Sequence, residues 1–266
     1  VEPCPTAFVE LAGRLADAGG AVARRYFRSG LAVDTKADES PVTRADREAE
    51  AAMRSLLAEA VPDHGIVGEE YGSERGDAEF VWVLDPIDGT KAFITGNPLF
   101  GCLVSLTRGG RPILGVIDMP ALGERWIGAA GHPTLHRAAD GTARPVRVRS
   151  CDGLDQAILR CTSPAMFPEG SAAAAAFARL RGAARLTLYG GDCFCYAQVA
   201  SGWADLAVEA GLQPYDFLAL LPVVEGAGGV ACDWNGEPLH LGSDGRVVFA
   251  GDARIRDAAL ERLRGG

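Results

Sequence analysis

Basic residues are scarce in this 266-residue chain: 26 Lys and Arg stand against 35 Asp and Glu, a formal charge of −9. That excess of acid disfavours nucleic acid or an anionic membrane as the main partner. An acidic protein that handles an anionic ligand needs local cations, and metal ions are the obvious supply. The seven cysteines, at 4, 102, 151, 161, 193, 195 and 232, are odd in number and contain no C-x-x-C pair. Neither a disulfide framework nor a zinc knuckle is indicated, and reduced, mostly buried thiols are expected. No basic head leads into an apolar run at VEPCPTAFVELAG, so no signal peptide is expected. Pro214, Asp216, Pro222 and Glu225 interrupt the longest apolar stretches, which rules out a spanning helix. Repeats and low-complexity segments are also missing. The expectation is a soluble, cytoplasmic protein.

What is present is material for a core. Hydrophobic residues make up 48% of the chain, enough for one large domain or two of ordinary size. Phe8, Leu11/Ala12, Leu15/Ala16, Val22 and Tyr26 recur at helical spacing and predict a helix over 5–27, weakened at Gly19-Gly20. DTKADESPVTRAD, 34–46, is polar and holds Pro41, so it reads as a mobile loop. A second helix is predicted over 44–60, with Ala45, Ala49, Met53 and Leu56 on one face. Ile66-Val67 is a short apolar piece ending in Gly68-Glu69-Glu70, and Phe80–Leu84 reads as a strand. FGCLVSLTRGGRPILGVIDMP reads as a hairpin around Arg108-Gly109-Gly110, and ERWIGAAG as another strand. His132 and His136 have a metal-like helical spacing, but Pro133 and nearby glycines indicate a loop and surface histidines. Residues 1–145 therefore read as an α+β half. From 146 strands alternate with helices, one of them bent near Pro222, and residues 146–266 read as an α/β half.

The stretch VWVLDPIDGTKAF, Val81 to Phe93, sets Asp85 and Asp88 at the end of an apolar strand. Aspartate is a poor strand residue and costly to bury unpaired, so something must compensate it. Glu69 follows another strand-like piece, and Asp216 begins a helix after Pro214. Each acid alone could be a turn, a cap or solvated charge; the Asp85–Asp88 pair reverses those odds. If Glu69, Asp85, Asp88 and Asp216 converge, each close pair repels by about 4 kcal/mol at an effective dielectric near 20. Such a cluster needs protons or cations, and oxygen donors without His or Cys select Mg²⁺, or Mn²⁺ and Ca²⁺ as relatives. Two such ions form a clamp for phosphoryl chemistry. Gly89-Thr90 would offer backbone amides to the phosphate.

GEE at 68–70, DPIDGT at 85–90 and PYDF at 214–217 resemble the inositol-monophosphatase family of Mg²⁺-dependent, lithium-sensitive phosphatases. The likeness runs over nearly the whole chain. It implies a layered αβαβα sandwich, a homodimer and hydrolysis of a small phosphate monoester by direct attack of a metal-activated water. It implies two or three Mg²⁺, with Mn²⁺ as a substitute. Glu69, Asp85 and the Ile87 carbonyl match the ligands of the first ion; Asp85, Asp88 and Asp216 match those of the second. Asp46 and Thr90 match the pair that orients and deprotonates the water, and Glu69 counts with them as catalytic. Asp88, Gly89 and Thr90 match the phosphate-binding amides. Gly190, Gly191, Asp192 and Glu209 match the segments lining the rest of the substrate. YGGDCFCYAQVASG, with DGTKAF, LFGCLVSL and VEAGLQPYDFLALLPVVEGAGGV, looks most like the histidinol-phosphate phosphatase branch, and a substrate bearing an ammonium group suits carboxylates at 192 and 209. Inositol monophosphate remains an alternative, as does 3′-phosphoadenosine 5′-phosphate, whose phosphatases also carry Lys at the position of Lys91.

Other chemistries fit less well. The acids of DPIDGT are three residues apart rather than two, unlike the D-x-D-G-T of haloacid-dehalogenase-type phosphatases. No G-x-S-x-G elbow or G-x-x-x-x-G-K-[ST] loop is present. A non-catalytic phosphometabolite sensor on the same fold would have lost part of the acid set, which here is complete.

Overall fold

The computed structural model describes residues 2–29, 33–35 and 41–265. Helix α1 (Thr6–Tyr26) is followed by β1 (Val33–Thr35) and β2 (Pro41–Thr43), then α2 (Arg44–Ala60). Strands β3 (Gly65–Gly68), β4 (Gly72–Glu74) and β5 (Phe80–Asp88) lead to the short helix α3 (Thr90–Ile94). A meander follows: β6 (Gly101–Arg108), β7 (Arg111–Met119), β8 (Glu124–Ala129), β9 (His132–Arg137) and β10 (Ala143–Pro145). These strands form one eight-stranded sheet in the order β10-β9-β8-β7-β6-β5-β3-β4, antiparallel except where β3 pairs β5.

The second sheet begins with β11 (Ile158–Cys161). Around it run α4 (Ala172–Ala183), β12 (Leu186–Tyr189), α5 (Phe194–Ala200), β13 (Leu206–Glu209), α6 (Pro214–Phe217) and α7 (Leu220–Gly226). The chain closes with β14 (Val230–Asp233), β15 (Val247–Ala250) and α8 (Ala253–Arg264). The order is β12-β11-β13-β15-β14.

Side-chain alternation sorts these elements into layers. Trp82 and Leu84 of β5 face α1 and α2, packing with Leu11, Leu15, Met53 and Leu57. Val81 and Val83, on the other face, pack with Tyr196 and Val199 of α5 and with Phe217, Leu220 and Val223 of α6 and α7. Strand β5 is buried on both faces, which is why FVWVL reads as a continuous apolar run. The second sheet repeats the arrangement. Ala207, Val247 and Phe249 face α5–α7, while Leu206, Val208 and Val248 face Phe177 of α4 and Ile255 of α8. The result is an αβαβα sandwich, as expected. No helix among the described residues is long and apolar enough to cross a membrane.

Two glycines set how closely the middle layer approaches. Gly115 and Gly128 are direct partners on β7 and β8. A Cβ on either would run into the carbonyl oxygens of Ala219 and Pro222. The backbone at the junction of α6 and α7 therefore rests on the first sheet itself.

Four expectations need correction. Part of 34–46 is strand rather than loop: Val33–Thr35 pairs antiparallel with Pro41–Thr43, while α2 starts at Arg44 as expected. The rest of that stretch, Lys36 included, lies outside the described residues. The helical run after Pro214 breaks at Leu218–Ala219 rather than bending at Pro222. Pro222 falls in the first turn of α7, where its missing N–H is no loss. His132 and His136 lie on strand β9, not in a loop. Only His132 is exposed; His136 is buried, stacked on Trp126 at 4.3 Å, with Nε2 2.7 Å from Glu124 Oε2.

Candidate active site

The site starts where β5 stops being regular. Pro86 has no N–H to give the ladder, and pairing with β6 shifts register between Asp85 and Asp88. Asp88 then leads into Gly89, whose φ of 81° and ψ of 41° place it in the left-handed region. The Thr90 hydroxyl closes the turn by donating to the Ile87 carbonyl at 3.1 Å.

Asp216 reaches this turn from the middle layer. Its Oδ2 accepts from Gln213 N at 2.7 Å, which caps α6. One carboxylate oxygen each from Asp85, Asp88 and Asp216 lies within 4.8 Å of the others. Asp85 is 2% exposed, and its Oδ1 has no hydrogen-bond partner among the described residues. Asp88 Oδ2 accepts from Cys193 N at 2.6 Å, which ties the turn to the start of α5.

The electrostatics show which other acids converge. Burial pushes the Asp85 carboxyl well above its ordinary range, and the charges of Glu69, Asp88, Asp216 and Asp46 push it further. Burial raises Asp88 too, with Asp192 adding to it. Asp216 is raised to about 7, again mainly by burial. Half-buried Glu69 and buried Asp46 thus lie close enough to Asp85 for their charges to act on it. This many carboxylates cannot all stay ionised without cations. Hard oxygen donors with no His or Cys among them, and an unpartnered buried oxygen on Asp85, fit a divalent ion of the Mg²⁺, Mn²⁺ or Ca²⁺ kind.

The Gly190-Gly191-Asp192 turn forms the adjoining wall. Asp192 is in the left-handed region, φ 46°, and its Cγ lies 2.9 Å from where a Cβ on Gly89 would sit. Gly89 is therefore needed for its φ and for the space it leaves Asp192. Burial and the Glu209 charge raise the Asp192 carboxyl to about 6, while Lys91 opposes them. Glu209 itself is 2% exposed. One of its oxygens accepts from Thr162 N and the other from the Tyr196 hydroxyl at 2.7 Å. It stands behind Asp192 with both oxygens engaged, and its charge is felt at Asp192 and Asp216.

One contributor was missed from sequence. Glu50 is wholly buried on α2, one turn after Asp46. Its carboxylate accepts from Glu70 N at 2.7 Å, Tyr71 N at 3.2 Å and Arg54 Nε at 2.7 Å. It clamps the backbone just after Glu69 to the helix that carries Asp46. The i, i+4 spacing of Asp46 and Glu50 was the available signal.

Comparisons with known proteins show the family and the fold. The model of the inositol monophosphatase family matches residues 6–264. The bifunctional phosphatase IMPL2, chloroplastic, of Arabidopsis thaliana is 48% identical over 265 residues, spanning 96% of this chain and 75% of that protein. The histidinol-phosphatase of Chlorobaculum parvum is 35% identical, with 94% of each chain covered. That of Mycobacterium tuberculosis is also 35% identical, over 96% of this chain and 97% of its own. Among solved structures, an inositol monophosphatase from Zymomonas mobilis superposes with a TM-score of 0.89 at 45% identity, covering 98% of both chains. The chain belongs to the inositol monophosphatase family, has histidinol-phosphatases among its relatives, and is a phosphatase acting on phosphate monoesters.

Proposed function

We propose that this phosphatase hydrolyses histidinol phosphate to histidinol and phosphate, with Mg²⁺ as its cofactor and Mn²⁺ as a substitute. In this reading Glu69, Asp85, Asp88, Asp216 and the Ile87 carbonyl hold two or three ions. When bound, the ions offset the cluster's charge, acidify water and polarise the phosphate ester. Thr90 Oγ1 already gives its proton to the Ile87 carbonyl, so its lone pairs are left to accept from the attacking water. Asp46, buried on α2, would accept the proton that this water loses, without passage through Thr90. The amides of Asp88, Gly89 and Thr90 hold the phosphate oxygens.

The observation that carries the substrate assignment is the Asp192 carboxylate packed against Gly89, with the buried charge of Glu209 behind it. An ammonium group on the substrate would meet Asp192 in a shielded pocket, where a charge pair discriminates against neutral polyols more than it does on a surface. Glu209 supports this wall through its charge and its hold on Tyr196. The 35% identical histidinol-phosphatases support the same substrate.

The test is phosphate release from histidinol phosphate, inositol 1-phosphate and 3′-phosphoadenosine 5′-phosphate with Mg²⁺, repeated on Asp192→Asn. Histidinol phosphate should have the highest kcat/KM, and the variant should lose that preference. A preference left unchanged by the variant refutes the role of Asp192. Inositol 1-phosphate is the second reading, favoured by the 45% identical Zymomonas mobilis inositol monophosphatase. We further infer a homodimer. The edge strand β12 supports it, because Leu186, Leu188 and Tyr189 are each at least 40% exposed. Sedimentation at micromolar concentration should give twice the monomer mass, and a monomer refutes it.

A further inference from the structure

The turn that carries Asp192 is expensive backbone. Gly190, Gly191 and Asp192 have φ of 83°, 113° and 46° in succession. One non-glycine residue in that region costs on the order of 1 kcal/mol or more, so contacts from outside must over-determine the turn. On the side of the acid cluster the anchor is Cys193, whose amide donates to Asp88. On the opposite side the anchor is Arg160, which projects from β11. Its Nη2 donates to the Gly190 carbonyl at 2.6 Å and lies 3.2 Å from where a side chain on Gly191 would begin. The Cys195 thiol, at the start of α5, donates to the same carbonyl at 3.3 Å. Arg160 is 7% exposed, and its Nε has no hydrogen-bond partner among the described residues. A guanidinium is costly to bury on so few bonds; the buried charge of Glu209 offsets part of that cost, and the guanidinium's hydrogen bond goes to this turn.

We propose that Arg160 is a positioning residue that sets substrate preference: by holding the Gly190 carbonyl it fixes where the Asp192 carboxylate stands. The proposal rests on Asp192 meeting the ammonium group of the substrate. Removing Arg160 has two physical effects of opposite sign. Deleting a cation makes the acidic wall more negative, which by itself tightens binding of a cationic substrate. Releasing the turn moves Asp192 from its place and weakens that binding. The sign of the change therefore separates a charge effect from a positioning effect.

The experiment measures kcat and KM with Mg²⁺ for histidinol phosphate and inositol 1-phosphate on the wild type, Arg160→Met, Arg160→Lys and Asp192→Asn. Arg160→Met should lower the ratio of the two kcat/KM values by at least ~10-fold, the scale set by ångström-level misplacement of a contact. The fall should come chiefly from a higher KM for histidinol phosphate. Arg160→Lys keeps the charge and one donor, and should recover part of the ratio. The polyol phosphate, lacking an ammonium group, reports folding and metal loading in the same preparation. A ratio that is unchanged or raised in Arg160→Met overturns the proposal. If that variant does not fold, Arg160→Lys carries the test, and an unchanged ratio there overturns it. A fall with Asp192→Asn but not with Arg160→Met removes only the role of Arg160. No fall with Asp192→Asn removes the reading of Asp192 beneath it.

Discussion

The two sheets bring acids to one cleft by different means. Asp85 and Asp88 end a nine-residue strand buried on both faces, and Glu50 of α2 clamps the neighbouring Glu69-Glu70 backbone to the same layer. In the other half the acids sit on irregular segments. Asp216 enters on the four-residue α6, and Asp192 on three consecutive left-handed residues. Ladder hydrogen bonds hold the first set. The second depends on a few contacts at each point: the Gly115/Gly128 seat under α6–α7, the Arg160 and Cys195 bonds to the Gly190 carbonyl, and the Glu209 bonds to Tyr196 and Thr162. The acids at the end of β5 would supply most of the metal site, with Asp216 added from the other half. Selectivity among alcohols would lie on the half whose geometry a few side chains can retune.

The largest effect should come from the residue that joins the halves. Asp88→Asn should lower turnover at saturating Mg²⁺ by at least ~10²-fold, the loss expected when a group stabilising transition-state charge is removed. Near-normal phosphate release from that variant would break the comparison at its centre.

Glu50→Gln should weaken Mg²⁺ binding by about 10-fold, as outer-shell changes commonly do, while leaving the substrate ratio alone. Calorimetric titration with Mg²⁺ measures this, and wild-type affinity would show that α2 does not hold the Glu69 segment.

Gly115→Ala should destabilise the fold by about 1–3 kcal/mol, because the added methyl meets the Ala219 carbonyl. Urea unfolding reports it. Gly182→Ala, in α4 where nothing lies within 4 Å, should instead stabilise by about 0.5–1 kcal/mol.

The smallest effect is one of pH. The folded-state carboxyls of Asp216 and Asp192 are raised to about 7 and about 6, above their ordinary value of 3.8. The stability they contribute to the metal-free fold is full below pH 3.8 and is lost as pH rises through 6 and 7. Divalent ions favour the ionised forms, so the rise in Tm on adding Mg²⁺ should be several degrees larger at pH 8 than at pH 5.5. Scanning calorimetry at both pH values, with and without Mg²⁺, reads it; an equal or smaller rise at pH 8 contradicts the expected coupling.

Much of the first half was legible in the sequence because regular elements leave periodic patterns. The α1 and α2 faces, the FVWVL strand and the DPIDGT turn follow from spacing and from the turn chemistry of Pro86 and Gly89. The irregular details were not legible, since they depend on contacts between distant segments. Nothing near Arg160 in the sequence points to Gly190, and nothing near Gly115 points to Ala219. The break after Phe217 was misplaced because Pro222 looks like a helix breaker until its position in a first turn is known. His136 was misjudged because its burial comes from Trp126 on the adjacent strand.

The most direct measurement is an anomalous difference map from a crystal of the protein soaked in Mn²⁺. Peaks about 2.2 Å from carboxylate oxygens of Asp85, Asp88 and Asp216, with Glu69 on a neighbouring ion, are the predicted result. A cleft without peaks at saturating Mn²⁺, or ions bound only elsewhere, would contradict the claim that acids from both halves exist to share divalent cations.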